Sequence, residues 1–299
     1  MSCAFAVLGP GGVGGFVAAA LARAGEEVVV VARETTAPVI AAGGIEVRSV
    51  LLGDFTAHPG AVECLREPAD VLIVATKATS LRESLERIAA PPGLVLPLLN
   101  GLDHMEILRE RFGSGRVVAG TIRIEADRPA PARVVHTSPF LRIDLAADDL
   151  ALRPALEGLA ARLRGAEIPV EIGPSEAQIM WSKLVRLNAL ACTTSAIDRP
   201  IGFIRDDPQW RATLVACLEE AAAVANAEGA DVRAADALAE LDQVHAGLGS
   251  SMQRDIDAGR EPELDAIPGA VIRAGARHGL ACPTVQHLVA VIAERARVR

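Results

Sequence analysis

Lysine is nearly absent. Of thirty cationic side chains only Lys77 and Lys183 are lysines, the others all being arginine. A chain that uses the guanidinium almost everywhere keeps an ammonium where a compact proton donor of tunable pKa is needed, because arginine does not usefully lose its proton. Paired cysteines are lacking too. Cys3, Cys64, Cys192, Cys217 and Cys282 are scattered, with no C-x-x-C spacing, which argues against a disulfide framework or a zinc site and for reduced thiols in a cytoplasmic protein. The six histidines show no metal-ligand spacing, so no metal is expected. Positive charge is in deficit, at a net −8, which argues against nucleic acid or an anionic membrane surface as partner. No charge occurs from Met1 to Ala22, yet that stretch is broken at its centre by Gly9-Pro10-Gly11-Gly12 and carries no early Lys or Arg. It reads neither as a membrane span nor as a secretory leader. Repeats and low-complexity tracts are also missing. With 299 residues, half of them apolar and 23% charged, the chain has the size and balance of one large globular domain or two ordinary ones.

What is present begins at Phe5. An apolar run, Phe5–Leu8, ends in Gly9-Pro10-Gly11-Gly12-Val13-Gly14, a G-x-G-x-x-G loop opening a small-residue helix. The first glycine suits a sharp turn, and Gly11 lets the backbone approach a pyrophosphate. Gly14 lets helix and strand pack closely, and the helix N-terminus offers N–H groups to the phosphate charge. The helix is expected over Gly12–Ala24, closed by Gly25. Glu27–Ala32 carries four consecutive valines, the pattern of a parallel strand buried on both faces. In NAD-binding units an acidic residue about 20 residues past the loop binds the ribose 2′-hydroxyl. Arg33 stands near that position and favours the 2′-phosphate of NADP, while Glu34, next to it, points the other way.

Further strands are expected at Ile45–Leu52, Asp70–Thr76 and Leu94–Leu99, with helices at Ser80–Ala90 and Asp103–Phe112. This is the alternation of βα units in a parallel sheet, whose ligands lie outside the carboxyl ends of the strands. The glycine loop, Arg33, Lys77 and Asn100 all fall at such ends. Arg133–His136, Phe140–Asp144 and Val170–Ile172 read as strands and Asp148–Leu163 as a helix. Beyond Gly173-Pro174 the pattern turns helical, at Ser175–Ala191, Asp207–Glu228, Arg233–Val244 and Pro268–His278. The expected organisation is an α/β protein with a Rossmann-type NADP-binding domain at 1–173 and a mostly helical domain at 174–299.

Five segments together resemble the ketopantoate reductase (2-dehydropantoate 2-reductase) family over nearly the whole chain. They are the glycine loop, Ala75-Thr76-Lys77-Ala78, Asn100-Gly101, Trp181-Ser182-Lys183-Leu184, and the stretch from Ser250-Ser251-Met252 to Glu263-Leu264-Asp265-Ala266-Ile267-Pro268-Gly269. The resemblance implies a Rossmann domain followed by a helical one, with the active site in the cleft between them. It implies NADPH as cofactor and reduction of the 2-keto group of ketopantoate on the route to pantothenate. It makes Lys183 the general acid and Asn100 the contact to substrate and nicotinamide. It makes Ser251 a partner of the substrate carboxylate, Glu263 an acid near cofactor and lysine, and Lys77 a cofactor residue at a strand end. A general acid suits the chemistry, since hydride addition leaves an alkoxide that is costly in a dry site.

The chain also departs from that pattern. Where many members carry asparagines that bind the hydroxyl end of ketopantoate it has Leu187 and Ala191, and Leu248 stands where members often have a further asparagine. Asn188, five residues after Lys183, is rotated about 140° from it on an ideal helix. A π-bulge after Lys183 brings Asn188 back as a substrate contact; otherwise the substrate is a less hydroxylated 2-keto acid. A β-hydroxyacid dehydrogenase-like enzyme and a non-catalytic NADP(H)-binding regulator are the other readings, and a homodimer is an open alternative for assembly.

Overall fold

The computed structural model describes residues 3–298. It divides into two compact units. One runs to Leu99 and resumes from His104 to Ile179; the other takes Asn100–Asp103 and the chain from Met180 onward.

In the first unit the chain passes through β1 (Cys3–Leu8), α1 (Gly12–Arg23), β2 (Val28–Val31), α2 (Ala37–Gly43), β3 (Ile45–Ser49), β4 (Phe55–Ala57), β5 (Gly60–Val62), β6 (Ala69–Val74), α3 (Leu81–Leu85), β7 (Leu94–Pro97) and α4 (His104–Phe112). It continues through β8 (Ala119–Arg123), β9 (Ala126–Ala130), β10 (Arg133–His136), β11 (Arg142–Ala146), α5 (Arg153–Gly165) and β12 (Val170–Ile172). Five strands form a parallel sheet in the order β5-β2-β1-β6-β7. The chain leaves β1 towards β2 on one side, and β6 lies on the other, so the strand order reverses beside the glycine loop. That reversal is where open α/β sheets hold their ligands. Two smaller sheets follow, β4-β3-β10-β9 and β12-β11-β8.

Helix α1 explains its own composition. It packs on the parallel sheet through β1 and β2 and on the four-stranded sheet through β3, β4, β9 and β10. Every residue from Gly14 to Leu21 is buried, and its only charge, Arg23, comes at the last turn. A helix covered all round has no face for charge, and small side chains let two sheets approach it. Phe16 meets the His136 ring edge-on, 4.9 Å between centroids.

The strand expected at Ile45–Leu52 stops at Ser49, because the Ser49 hydroxyl accepts the N–H groups of Leu51 and Leu52 and turns the chain. The helix expected at Ser80–Ala90 is only Leu81–Leu85. Beyond it Leu65 and Arg87–Ala90 exchange backbone hydrogen bonds and pull the chain into a bridge. In the range expected as a helix from Asp148, Asp149 caps a short 3₁₀ turn and α5 starts at Arg153.

The second unit contains no strand among the described residues. Its helices are α6 (Glu176–Ile197), which begins at the end of the first unit, α7 (Ile201–Asp206), α8 (Pro208–Ala227), α9 (Ala234–Gln243), α10 (Ser251–Asp257), α11 (Ala270–Arg277) and α12 (Pro283–Val298). None is long and apolar enough to cross a membrane. Between α10 and α11 lies a π turn, Asp265–Gly269. Pro268 has no N–H to give Leu264, whose carbonyl is instead taken by Gly269 one residue later, at 2.9 Å. The missing donor therefore widens the turn.

Candidate active site

In the first unit the loop between β1 and α1 is built by contact. Gly9 has φ +89°, and a side chain there would lie 2.8 Å from Thr76 Cγ2. An added Cβ at Gly14 would fall 2.2 Å from the Gly9 carbonyl oxygen, and one at Gly12 would fall 2.0 Å from that of Ala126. The approach of β9 to Gly12 has no signal in the sequence, since its partner is far along the chain. Beside Gly11 the space is open: an added Cβ would meet nothing within 4 Å. Helix α1 has no side-chain cap at its start, so its first N–H groups have no acceptor within the helix. The buried Thr76 Oγ1, next to Gly9, has no hydrogen-bond partner among the described residues. Open space at Gly11, orphan N–H groups and an unsatisfied hydroxyl fit a pyrophosphate, with Pro10 and Val13 completing the loop.

Arg33 is exposed just past β2, its backbone fixed by its carbonyl, which accepts from Thr36 N at 2.8 Å and Ala37 N at 2.9 Å. Glu34 is engaged by Arg87, whose two terminal nitrogens reach its carboxylate oxygens at 2.9 and 3.5 Å. That guanidinium holds the Glu34 carboxyl below its ordinary range. Lys77 is exposed past β6, at the head of a 3₁₀ turn.

The second unit brings three of the sequence candidates together. Lys183 Nζ donates to Asn100 Oδ1 at 3.0 Å, and Asn100 Nδ2 donates to Glu263 Oε2 at 3.2 Å. Glu263 is buried, whereas Asn100 and Lys183 are partly open. The orientation of the carboxamide is fixed chemically: an ammonium only donates and a carboxylate only accepts, so oxygen faces Lys183 and nitrogen faces Glu263. The two segments carrying Asn100 and Glu263 are themselves joined. Gly101 has φ +86°, and an added Cβ would lie 2.1 Å from the carbonyl oxygen of Ala266 in the π turn. Arg273 on α11 binds Asp103 on one side, and on the other both the carboxylate and the carbonyl of Asp265, at 2.5 and 2.8 Å. Neither the π turn nor the Arg273 clamp is part of the sequence expectation; Pro268 was the available signal for the first.

Asn188 corrects an expectation. Helix α6 runs as unbroken α-helix from Glu176 to Ile197, without a π-bulge after Lys183. Asn188 is fully buried, giving its Nδ2 to Cys217 Sγ at 3.3 Å and accepting from Cys192 Sγ at 3.5 Å. It belongs to the packing of α6 on α8, and the bulge that would turn it towards Lys183 is not formed. Leu187, partly open, stands one turn after Lys183, while Ala191 and Leu248 are buried. Arg186 pairs with Glu240 on α9 at 3.4 Å. At α10 the helix cap is Ser250, bonded to Gln253 N, Thr194 and Ser195, which leaves Ser251 exposed on the first turn.

The chain is similar to known proteins in sequence and in fold. The family profile described as "Ketopantoate reductase PanE/ApbA" matches residues 5–147, and its C-terminal counterpart matches residues 177–296. A 2-dehydropantoate 2-reductase of Mycobacterium tuberculosis is 33% identical over 98% of both chains. Another, of Caulobacter vibrioides, is 30% identical over 96% of this chain and 97% of its own. The crystal structure of a 2-dehydropantoate 2-reductase from Geobacter metallireducens superposes with a TM-score of 0.89 at 27% identity, covering 97% of this chain and 99% of that one. The chain belongs to the ketopantoate reductase family of NADPH-dependent oxidoreductases acting on 2-keto acids.

Proposed function

We propose that the protein reduces the carbonyl of a small 2-keto acid with Lys183 as proton donor, 2-dehydropantoate being the first candidate substrate. The hydrogen-bonded chain Lys183–Asn100–Glu263 carries the reading. NADPH, when bound, supplies the hydride to the carbonyl carbon. The Lys183 ammonium has more protons than the single one directed at Asn100, so it can point another at the carbonyl oxygen, polarise it and protonate the alkoxide. Asn100 sets the direction of the ammonium, and Glu263 fixes the carboxamide. The first unit is the dinucleotide domain, with the Gly9–Gly14 loop on the pyrophosphate, Arg33 on the 2′-phosphate and Lys77 at a neighbouring strand end. The second is the keto-acid domain, where Ser251 is the hydroxyl assigned to the substrate carboxylate.

A specific observation supports a second reading of the substrate. The side chain one turn from Lys183 is Leu187, and the nearby asparagine is turned into the core. An apolar wall suits a keto acid without the terminal hydroxyl of 2-dehydropantoate. Both readings are tested by NADPH oxidation against 2-dehydropantoate and unhydroxylated branched 2-keto acids. A kcat/KM that is about tenfold higher for 2-dehydropantoate selects the first, corresponding to one well-made hydrogen bond to the hydroxyl. The reverse ratio selects the second. Lys183→Ala is expected to lower kcat by about 10²–10⁴-fold with the circular dichroism and NADPH affinity of the parent. Turnover at the parental rate removes Lys183 from the mechanism.

A further inference from the structure

We infer that Arg87 is a second determinant of NADP(H) selection, acting with Arg33 by withdrawing Glu34 from the ribose. The inference rests on the NADPH reading of the first unit and extends it to a residue with no motif of its own.

The position past β2 carries two opposed instructions. An acidic side chain there accepts the ribose 2′-hydroxyl and repels a 2′-phosphate; an arginine does the opposite. Arg33 and Glu34 stand side by side, and both are exposed. Left to themselves they cancel in charge and specify neither cofactor. Arg87 breaks the tie. It meets both oxygens of Glu34, at 2.9 and 3.5 Å, and so competes for the acceptors a ribose hydroxyl would use. With Glu34 held by Arg87, Arg33 is left to meet a phosphate, while Glu63 and Glu83 also lie within electrostatic reach of Arg87.

Arg87 is placed to do this independently of Glu34. Its own side chain also donates to the Glu63 carbonyl at 3.3 Å. Its backbone is locked to Leu65, which donates to the Arg87 carbonyl at 2.8 Å, while Ala89 and Ala90 donate back to the Leu65 carbonyl at 2.9 and 3.1 Å. The guanidinium therefore projects from a fixed bridge beside the end of β2. The pair has little to do with holding the fold together: Glu34 is 63% exposed, and exposed ion pairs of this kind contribute little to stability. Its consequence lies in where charge and lone pairs are presented.

The test is binding, by calorimetry, of adenosine 2′,5′-bisphosphate and adenosine 5′-monophosphate to the whole protein, to Arg87→Ala, and to Arg87→Ala combined with Glu34→Gln. The parent is expected to prefer the bisphosphate. Arg87→Ala should lose about tenfold or more of that preference, the equivalent of one charge-assisted contact, with the monophosphate bound as well or better. Adding Glu34→Gln should recover part of the loss, because the acid that Arg87 restrains is gone. A parent that prefers the bisphosphate and an Arg87→Ala variant with the same preference overturn the role of Arg87 alone. A parent that binds both nucleotides equally overturns the NADPH reading and the inference with it.

Discussion

A carboxamide held between an ammonium and a carboxylate has one satisfied orientation, and Asn100 is in it. Asparagine is therefore the specific requirement at this position, and its nearest isostere is a sharp test. Asn100→Asp keeps the acceptor for Lys183 but sets a second carboxylate against the buried Glu263, where the amide hydrogen bond is 3.2 Å long. Two carboxylates at that distance share a proton, so the variant presents its ionised form only at a cost that falls as one of them protonates. The expected outcome is a kcat roughly 10²-fold below the parent at neutral pH, with the deficit shrinking as pH is lowered. A pH profile parallel to that of the parent would sink the idea. At this scale Lys183, Asn100 and Glu263 were legible because each is a rare or polar residue in a recognisable stretch. The partners of Asn188 were not legible, for a physical reason. Spacing along α6 says which way it points, but not that two thiols on that side, Cys192 and Cys217, would satisfy its amide.

Among the elements, the decisive contact is that of the Asn100–Asp103 segment with the π turn. Gly101 there combines a left-handed φ of +86° with backbone 2.1 Å from any added Cβ. Gly25, closing α1, has a φ of +90° but nothing within 4 Å of an added Cβ. The two glycines separate backbone strain from collision. Gly25→Ala is expected to lower stability by about 1–2 kcal/mol, the left-handed penalty alone. Gly101→Ala should lose more than that, and should also lower kcat, because the segment must move and Asn100 moves with it. Denaturant titrations and steady-state rates on both variants check this; equal stability losses would show that the π turn simply yields. The sequence pattern made four of the five strands of the parallel sheet, β1, β2, β6 and β7, and the helices α1, α6 and α8 visible, since buried runs such as Val28–Val31 and Gly14–Leu21 have an unmistakable composition. It did not show the short strands β4, β5 and β9 or the π turn. Those follow from contacts distant in the chain or from one missing N–H at Pro268.

For the molecule as a whole, acidification brings two opposed effects. The chain carries a net −8 with an isoelectric point near 5.4, so lowering pH towards that value relieves repulsion among its own charges. Against this stands His136, 1% exposed in the four-stranded sheet beneath Phe16. Its neighbours fix a neutral ring. The Ser138 hydroxyl donates to the Phe140 carbonyl at 2.7 Å, so His136 Nε2–H donates to Ser138, at 3.0 Å. Ser49 accepts two backbone N–H groups, which leaves its single hydrogen for Nδ1, 2.8 Å away. A proton on Nδ1 has no acceptor waiting, and burial pushes the imidazole pKa down. The unfolded chain takes up this proton near the ordinary value of about 6.5, while the folded chain takes it up only at lower pH. Between the two the unfolded state binds more protons, so stability is lost as pH falls. The carboxylates held low by arginines, Glu26 by Arg162 and Asp242 by Arg211, contribute stability that is lost only as pH falls from the carboxylate range downward, below this window. The expected outcome is a denaturation midpoint that declines from about pH 6.5 towards pH 5.5 in the parent. In His136→Gln, which keeps a donor and an acceptor but cannot charge, the midpoint should stay level or rise over the same interval. A variant that declines as steeply as the parent would place the acid sensitivity elsewhere in the molecule.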